Sequence, residues 1–98
     1  MSEPSTIVIF RADRKDGDVT AVFPTLPADS SWTMTCYAHI GQHSGCCREW
    51  YCDTRPARPD EYADLAAELR QIGYVLDIRQ RITREMDDER RREWRAVA

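Results

Sequence analysis

The run STIVIFR at Ser5–Arg11 constrains the fold of this 98-residue chain most. Its β-branched residues favour extended backbone, and apolar side chains fall on both parities of the alternation. That pattern reads as a strand buried on both sides or central in a sheet. ADRKDGD follows with turn chemistry, where Gly17 can take a positive φ, and DVTAVF returns as a second strand. Residues 5 to 24 therefore read as a β-hairpin. Pro24 and Pro27 are expected to end it, because proline has no N–H for a ladder, and PTLPADSS reads as a loop.

Further along, Trp32 to His39 alternates, with Trp32, Met34, Cys36 and Ala38 on one face and Thr33, Thr35, Tyr37 and His39 on the other. GQHSG interrupts with its glycines. CCREWYCDT is expected to be an edge strand or an irregular segment, since neither parity is plainly apolar. The best-marked element is a helix over 59–72. Pro59 suits its first position, Asp60 and Glu61 suit its positive end, and Tyr62, Leu65, Ala66, Leu69 and Ile72 form one apolar stripe. Gly73 fits the C′ position, with Tyr74 placed to pack back on the last turn. A strand follows at 74–79. A second, Arg-rich helix begins after Thr83 as its cap, with Asp87–Arg91 and Asp88–Arg92 as i,i+4 pairs. Its stripe of Met86, Trp94 and Val97 is thin, which leaves open whether residues 82–98 lie loosely on the surface or dock. The fold expected is α+β: a small antiparallel sheet, made of the hairpin and further strands and covered by one helix, with the additional C-terminal helix. Residues 1–98 read as a single domain.

The bulk numbers narrow the setting. An apolar share of 42% and a charged share of 32% suit a globular protein. Met1 to Ser5 is polar and Ile7–Phe10 is too short for a signal h-region, so a cytoplasmic protein without membrane association is expected. In that compartment the four cysteines are expected to be thiols. Net charge is −3, which argues against direct general binding of nucleic acid. Residues 1–78 carry net −5 and residues 79–98 carry net +2.

All four cysteines and both histidines fall between Cys36 and Cys52. Zinc takes four N/S ligands, usually from close pairs. The pattern Cys36, His39, His43, Cys46, Cys47, Cys52 has the ligand types but no common finger spacing, and strand alternation puts Cys36 and His39 on opposite faces. A Cys–His nucleophile needs a fixed imidazole and an orienting group, and no nucleophile signature surrounds any cysteine. Cys36 is accordingly read as core, and Cys46, Cys47 and Cys52 as partly buried fillers; no cofactor, metal or catalytic residue is assigned. The polar and aromatic residues of the same region are more suggestive. Tyr37, His39, Gln42, His43, Trp50, Tyr51 and Arg55 have the composition of a recognition patch.

Three stretches, GDVTAVFP at 17 to 24, YAHIGQHS at 37 to 44 and TRPARPDEYADLAAELRQIGYVLDIRQRI at 54 to 82, resemble a family of short bacterial and phage proteins of uncharacterised function. The resemblance implies a compact α+β module often carried on mobile elements, and it implies no activity. The Cys46–Cys47 pair and Cys52 do not belong to its pattern. With the patch, it leads to the expectation of a non-enzymatic binding module that inhibits or modulates a host protein complex, an anti-CRISPR-like counter-defence factor being one instance by analogy. The alternatives are a zinc- or thiol-dependent protein using the Cys36–Cys52 cluster and a nucleic-acid-associated regulator using the Arg-rich helix.

Overall fold

The structure, a computed structural model, describes residues 5–38 and 42–97, and of Gln42, His43 and Val97 the backbone alone. The doubly apolar run forms β1 (Thr6–Ala12), inside a six-stranded sheet. Antiparallel to it runs β2 (Val19–Pro27), followed outward by β3 (Met34–Ala38) and then β4 (Gln42–Cys46), which ends the sheet on that side. On the other side of β1, the two-residue β5 (Arg55–Pro56) pairs antiparallel with Arg11 and Ala12, and β6 (Leu76–Arg79) pairs in parallel with Thr6–Ile9. The helices are α1 (Arg48–Asp53), α2 (Pro59–Ile72) and α3 (Arg84–Val97). The protein is thus α+β, a mainly antiparallel sheet with an Arg-rich C-terminal helix.

The alternation of β1 decides where the helices go. Val8, Phe10 and Ala12 join Ala21, Phe23 and Tyr37 on one face, which Leu65, Ala66 and Leu69 of α2 cover. Ile9 joins Val22, Met34, Cys36 and Cys46 on the other, which Tyr51 of α1 and Met86 of α3 cover. A helix on one face alone would leave the second row wet. Each fully buried Leu or Phe contributes about 1.5–3 kcal/mol, so neither layer is dispensable. Aromatic stacking ties α2 and the chain after it to the first face: Phe10 on Tyr62 at 4.3 Å between centroids, and Phe23 on Tyr74 at 5.2 Å.

The bounds of α2 agree with its sequence punctuation. Glu61 accepts the Arg58 N–H (2.9 Å) at the helix start, and Gly73, at φ 125°, donates to the carbonyls of Leu69 and Arg70. The Tyr74 N–H also reaches the Leu69 carbonyl (3.1 Å), although its ring packs on Phe23. In the first hairpin Asp13 Oδ1 accepts the N–H groups of Lys15 (2.7 Å) and Asp16 (3.2 Å), and Gly17 takes φ 77°.

Four expectations are corrected. Residues 48–53, expected as edge strand or irregular chain, are helix, which lets adjacent Trp50 and Tyr51 both reach the second face; on a strand they would point apart. Cations then meet the negative end of that short helix: Arg11 donates to the carbonyls of Tyr51 (3.3 Å) and Thr54 (2.6 Å), and Arg14 to that of Asp53 (3.1 Å). The glycine-bounded GQHSG segment is largely strand, as β4. β2 runs through Pro24 to Pro27, because the ladder with β3 jumps from Phe23↔Thr35 to Pro27↔Met34 and so never asks Pro24 for an N–H. The ion pairs of α3 are i,i+3, Asp87–Arg90 at 2.8 Å and Asp88–Arg91 at 3.3 Å.

The C-terminal helix is held by a buried arginine as well as by Met86. Arg90, 4% exposed, donates to the carbonyls of Pro24 (2.9 Å) and Ser31 (3.0 Å) while pairing with Asp87. Thr83 Oγ1 caps the helix by accepting the Met86 N–H (3.3 Å).

Candidate functional site

The residues singled out in the sequence do not meet on one surface. Tyr37 is 1% exposed in the layer under α2, where its hydroxyl donates to Glu68 (2.8 Å). Tyr51 is buried in the opposite layer beneath the Arg11 guanidinium, 4.3 Å from its ring centre. Arg55 lies on β5, beyond β1 from β4, and forms a two-pronged pair with Glu61 (2.6 and 2.8 Å). Gln42 and His43 are positions of β4, and their side chains lie outside the described residues, as does His39. Trp50 is half-buried against the second layer and lines a cavity of about 300 Å³ with Thr20, Cys36, Ser44, Gly45 and Cys46. Two buried tyrosines are therefore structural, while β4 and Trp50 stay together at one end of the sheet.

That end has an open strand. β4 pairs with β3 through five register positions, Met34↔Cys46 to Ala38↔Gln42, and among the described residues no strand pairs its outer side. An unpaired edge presents main-chain donors and acceptors to any extended segment that approaches. Ser44 and Gly45, both exposed, are small, and neither lysine nor proline guards the strand. Gly45 sits in a tight place, since a Cβ there would stand 3.0 Å from Ala28 Cβ in the loop after β2.

The thiols are arranged differently from the sequence expectation. Cys36 and Cys46 are both buried on the same sheet face, whereas Cys47 and Cys52 are exposed, and all four are free. Cys36 sits opposite Ser44 in the β3–β4 ladder, its sulfur 3.2 Å from the Ser44 hydroxyl. The Cys36 pKa is lowered, because the neighbouring Cys46 thiol and the Ser44 hydroxyl favour its thiolate by more than burial disfavours it. Cys46, beside Cys36 and buried, is shifted up. We assign the lowered value to Cys36 because its sulfur is the one in hydrogen-bond contact with the Ser44 hydroxyl. Among the described residues no group of three or more His, Cys, Asp or Glu side chains could hold a metal ion.

Strand alternation could have found the Cys36–Cys46 juxtaposition, had residues 42–46 been read as a strand paired with 34–38. The glycines hid it. Trp32, expected to share a face with Met34, instead stands in the turn before β3, 68% exposed, with the Arg91 guanidinium 4.9 Å from its ring centre. Among the described residues no helix is long and apolar enough to cross a membrane.

In comparisons with known proteins, no family model, no curated protein and no solved structure matches this chain.

Proposed function

We propose that the protein is a non-enzymatic binding module that inhibits or modulates a protein complex of its host, and that it engages its partner by adding an extended partner segment to β4. The observation that carries this reading is the outer side of β4, which no strand pairs among the described residues, with small Ser44 and Gly45 upon it. Strand addition draws affinity from main-chain hydrogen bonds and specificity from pockets beside the strand. The cavity under Trp50 is such a pocket, and a half-buried tryptophan at its rim is the residue type that anchors interfaces.

The rival within the same class is electrostatic mimicry by the acidic residues 1–78. Binding of the partner captured from host lysate, measured with purified components, separates the two. Trp50→Ala is expected to weaken binding about 30-fold, corresponding to roughly 2 kcal/mol, while circular dichroism confirms the fold. Raising salt is expected to change the affinity little. A steep loss of affinity with salt together with a neutral Trp50→Ala would assign the site to the acidic surface instead, because exposed charges are screened over about 10 Å at 0.1 M.

A further inference from the structure

The cavity beside β4 holds a nucleophilic group that the binding reading does not use. Cys36 and Cys46 line it together, on adjacent strands and the same sheet face, with the Ser44 hydroxyl 3.2 Å from the Cys36 sulfur. Each thiol is almost wholly buried, at 6% and 7% exposure, yet the cavity of about 300 Å³ adjoins both. A cavity of that size admits a small oxidant. The arrangement also divides the labour between the two sulfurs. Cys36 has the Ser44 hydroxyl 3.2 Å from its sulfur and the Cys46 thiol on the same face beside it, so a negative charge is best accommodated there. Cys46 lies two register positions from Ser44 on the edge strand, and burial beside Cys36 shifts its thiol up, so it keeps its proton.

From this geometry we propose that Cys36 and Cys46 are a peroxide-oxidisable thiol pair, with Cys36 as the sulfur attacked by a small hydroperoxide and Cys46 as the thiol that resolves it. The Cys36 thiolate attacks the terminal oxygen of the hydroperoxide. A sulfur–oxygen bond forms, the oxygen–oxygen bond breaks, and the alkoxide leaves with the Cys46 proton as an alcohol. The Cys46 thiolate then attacks the sulfenic sulfur of Cys36. The sulfur–sulfur bond forms, and hydroxide leaves and takes up the proton that Cys36 lost on ionising. In sum, two thiols and one hydroperoxide give one disulfide, one alcohol and one water. The two cysteines are diagonal neighbours in the ladder, which stand about 7–8 Å apart with their Cβ atoms somewhat closer, against about 3.5–4.5 Å between Cβ atoms in a disulfide. Closure therefore draws β4 along β3, and β4 is free to move because among the described residues only β3 pairs with it. This proposal does not rest on the partner-binding reading, and its test needs no partner.

The test uses the full chain carrying Cys47→Ser and Cys52→Ser, which removes the exposed thiols and keeps the buried pair. Treatment with a small alkyl hydroperoxide is expected to consume both remaining thiols, to remove two hydrogens from the mass, and to yield a Cys36–Cys46 linked peptide. A small dithiol reductant is expected to restore both thiols. The rate is expected to follow ionisation of a thiol below the ordinary value of about 8.5. Cys46→Ala should move that profile upward and slow sulfenic acid formation on Cys36 at pH 7 on the order of tenfold, through the smaller thiolate fraction. Should Cys46→Ala fail to fold, Ser44→Ala removes the hydroxyl beside the Cys36 sulfur and is expected to move the profile in the same direction. The proposal is overturned if both thiols survive in the native chain under conditions that oxidise the urea-unfolded chain. It is equally overturned if Cys36 proceeds to sulfinic acid with Cys46 still free.

Discussion

Replacing Arg90 by methionine tests whether a single buried cation fastens α3 to the sheet. Methionine keeps most of the apolar stem and removes the guanidinium, so the three hydrogen bonds to Pro24, Ser31 and Asp87 are lost together. The consequences differ among the three partners. Asp87 keeps Arg48, whose guanidinium lies 3.0 Å away, and the half-buried Ser31 has water within reach. The Pro24 carbonyl belongs to a buried residue and loses its charged donor, a cost of about 1–3 kcal/mol. Adding the loss of charged hydrogen bonds at about 1.5–3 kcal/mol each, and returning the desolvation of the arginine, gives a net destabilisation of about 3 kcal/mol. In urea the unfolding midpoint should fall with the m-value unchanged. In a thermal scan the drop should be roughly 12–24 °C for a domain of this size. Arg90→Lys should recover only part, because an ammonium cannot span two carbonyls and a carboxylate as the planar fork does. A change under 1 kcal/mol for Arg90→Met would refute the claim that this side chain holds the helix.

Two further outcomes follow from contacts already described. Glu61, held by Arg55 and by the Arg58 N–H, is expected to titrate at about 2 by carboxyl NMR. Its folded pKa is depressed, so the stability it contributes is present above the ordinary carboxylate value of about 4.3 and is lost as pH falls towards 2; Glu61→Gln should flatten the unfolding profile in that window, and an unchanged profile would contradict the pairing. Tyr37→Ala should destabilise the domain by about 3–5 kcal/mol in urea, as emptying a core aromatic does, and a variant as stable as the parent would return Tyr37 to the surface.

What was legible in the sequence was whatever a single segment states about itself. The two-sided apolar run placed β1 inside the sheet, and Pro59 with Gly73 bounded α2, because both signals are local. What escaped depended on partners remote in the chain. Residues 48–53 become a helix where Arg11 and Arg14, about forty positions earlier, meet their carbonyls. β4 is a strand because β3 pairs with it despite the glycines around it. The expected patch failed to gather for the same reason. Tyr37 and Tyr51 look alike in composition, but the sheet lies between them, and composition carries no information about which side a residue takes. Cys36 and Cys46, ten positions apart, gained a shared face only once the β3–β4 register was known.

Amide hydrogen exchange of the protein alone and in complex with its captured partner tests the β4 account most directly. An edge strand opens readily when it is held on one side only, and it is protected when a second strand pairs with the other. Strand addition predicts that the amides of Gln42–Cys46 exchange more slowly in the complex than in the free protein, while those of α2, on the first face of the sheet, are unchanged. Unaltered exchange along β4, with protection appearing instead at exposed Ile72 and Val75 or along the acidic surface, would contradict it.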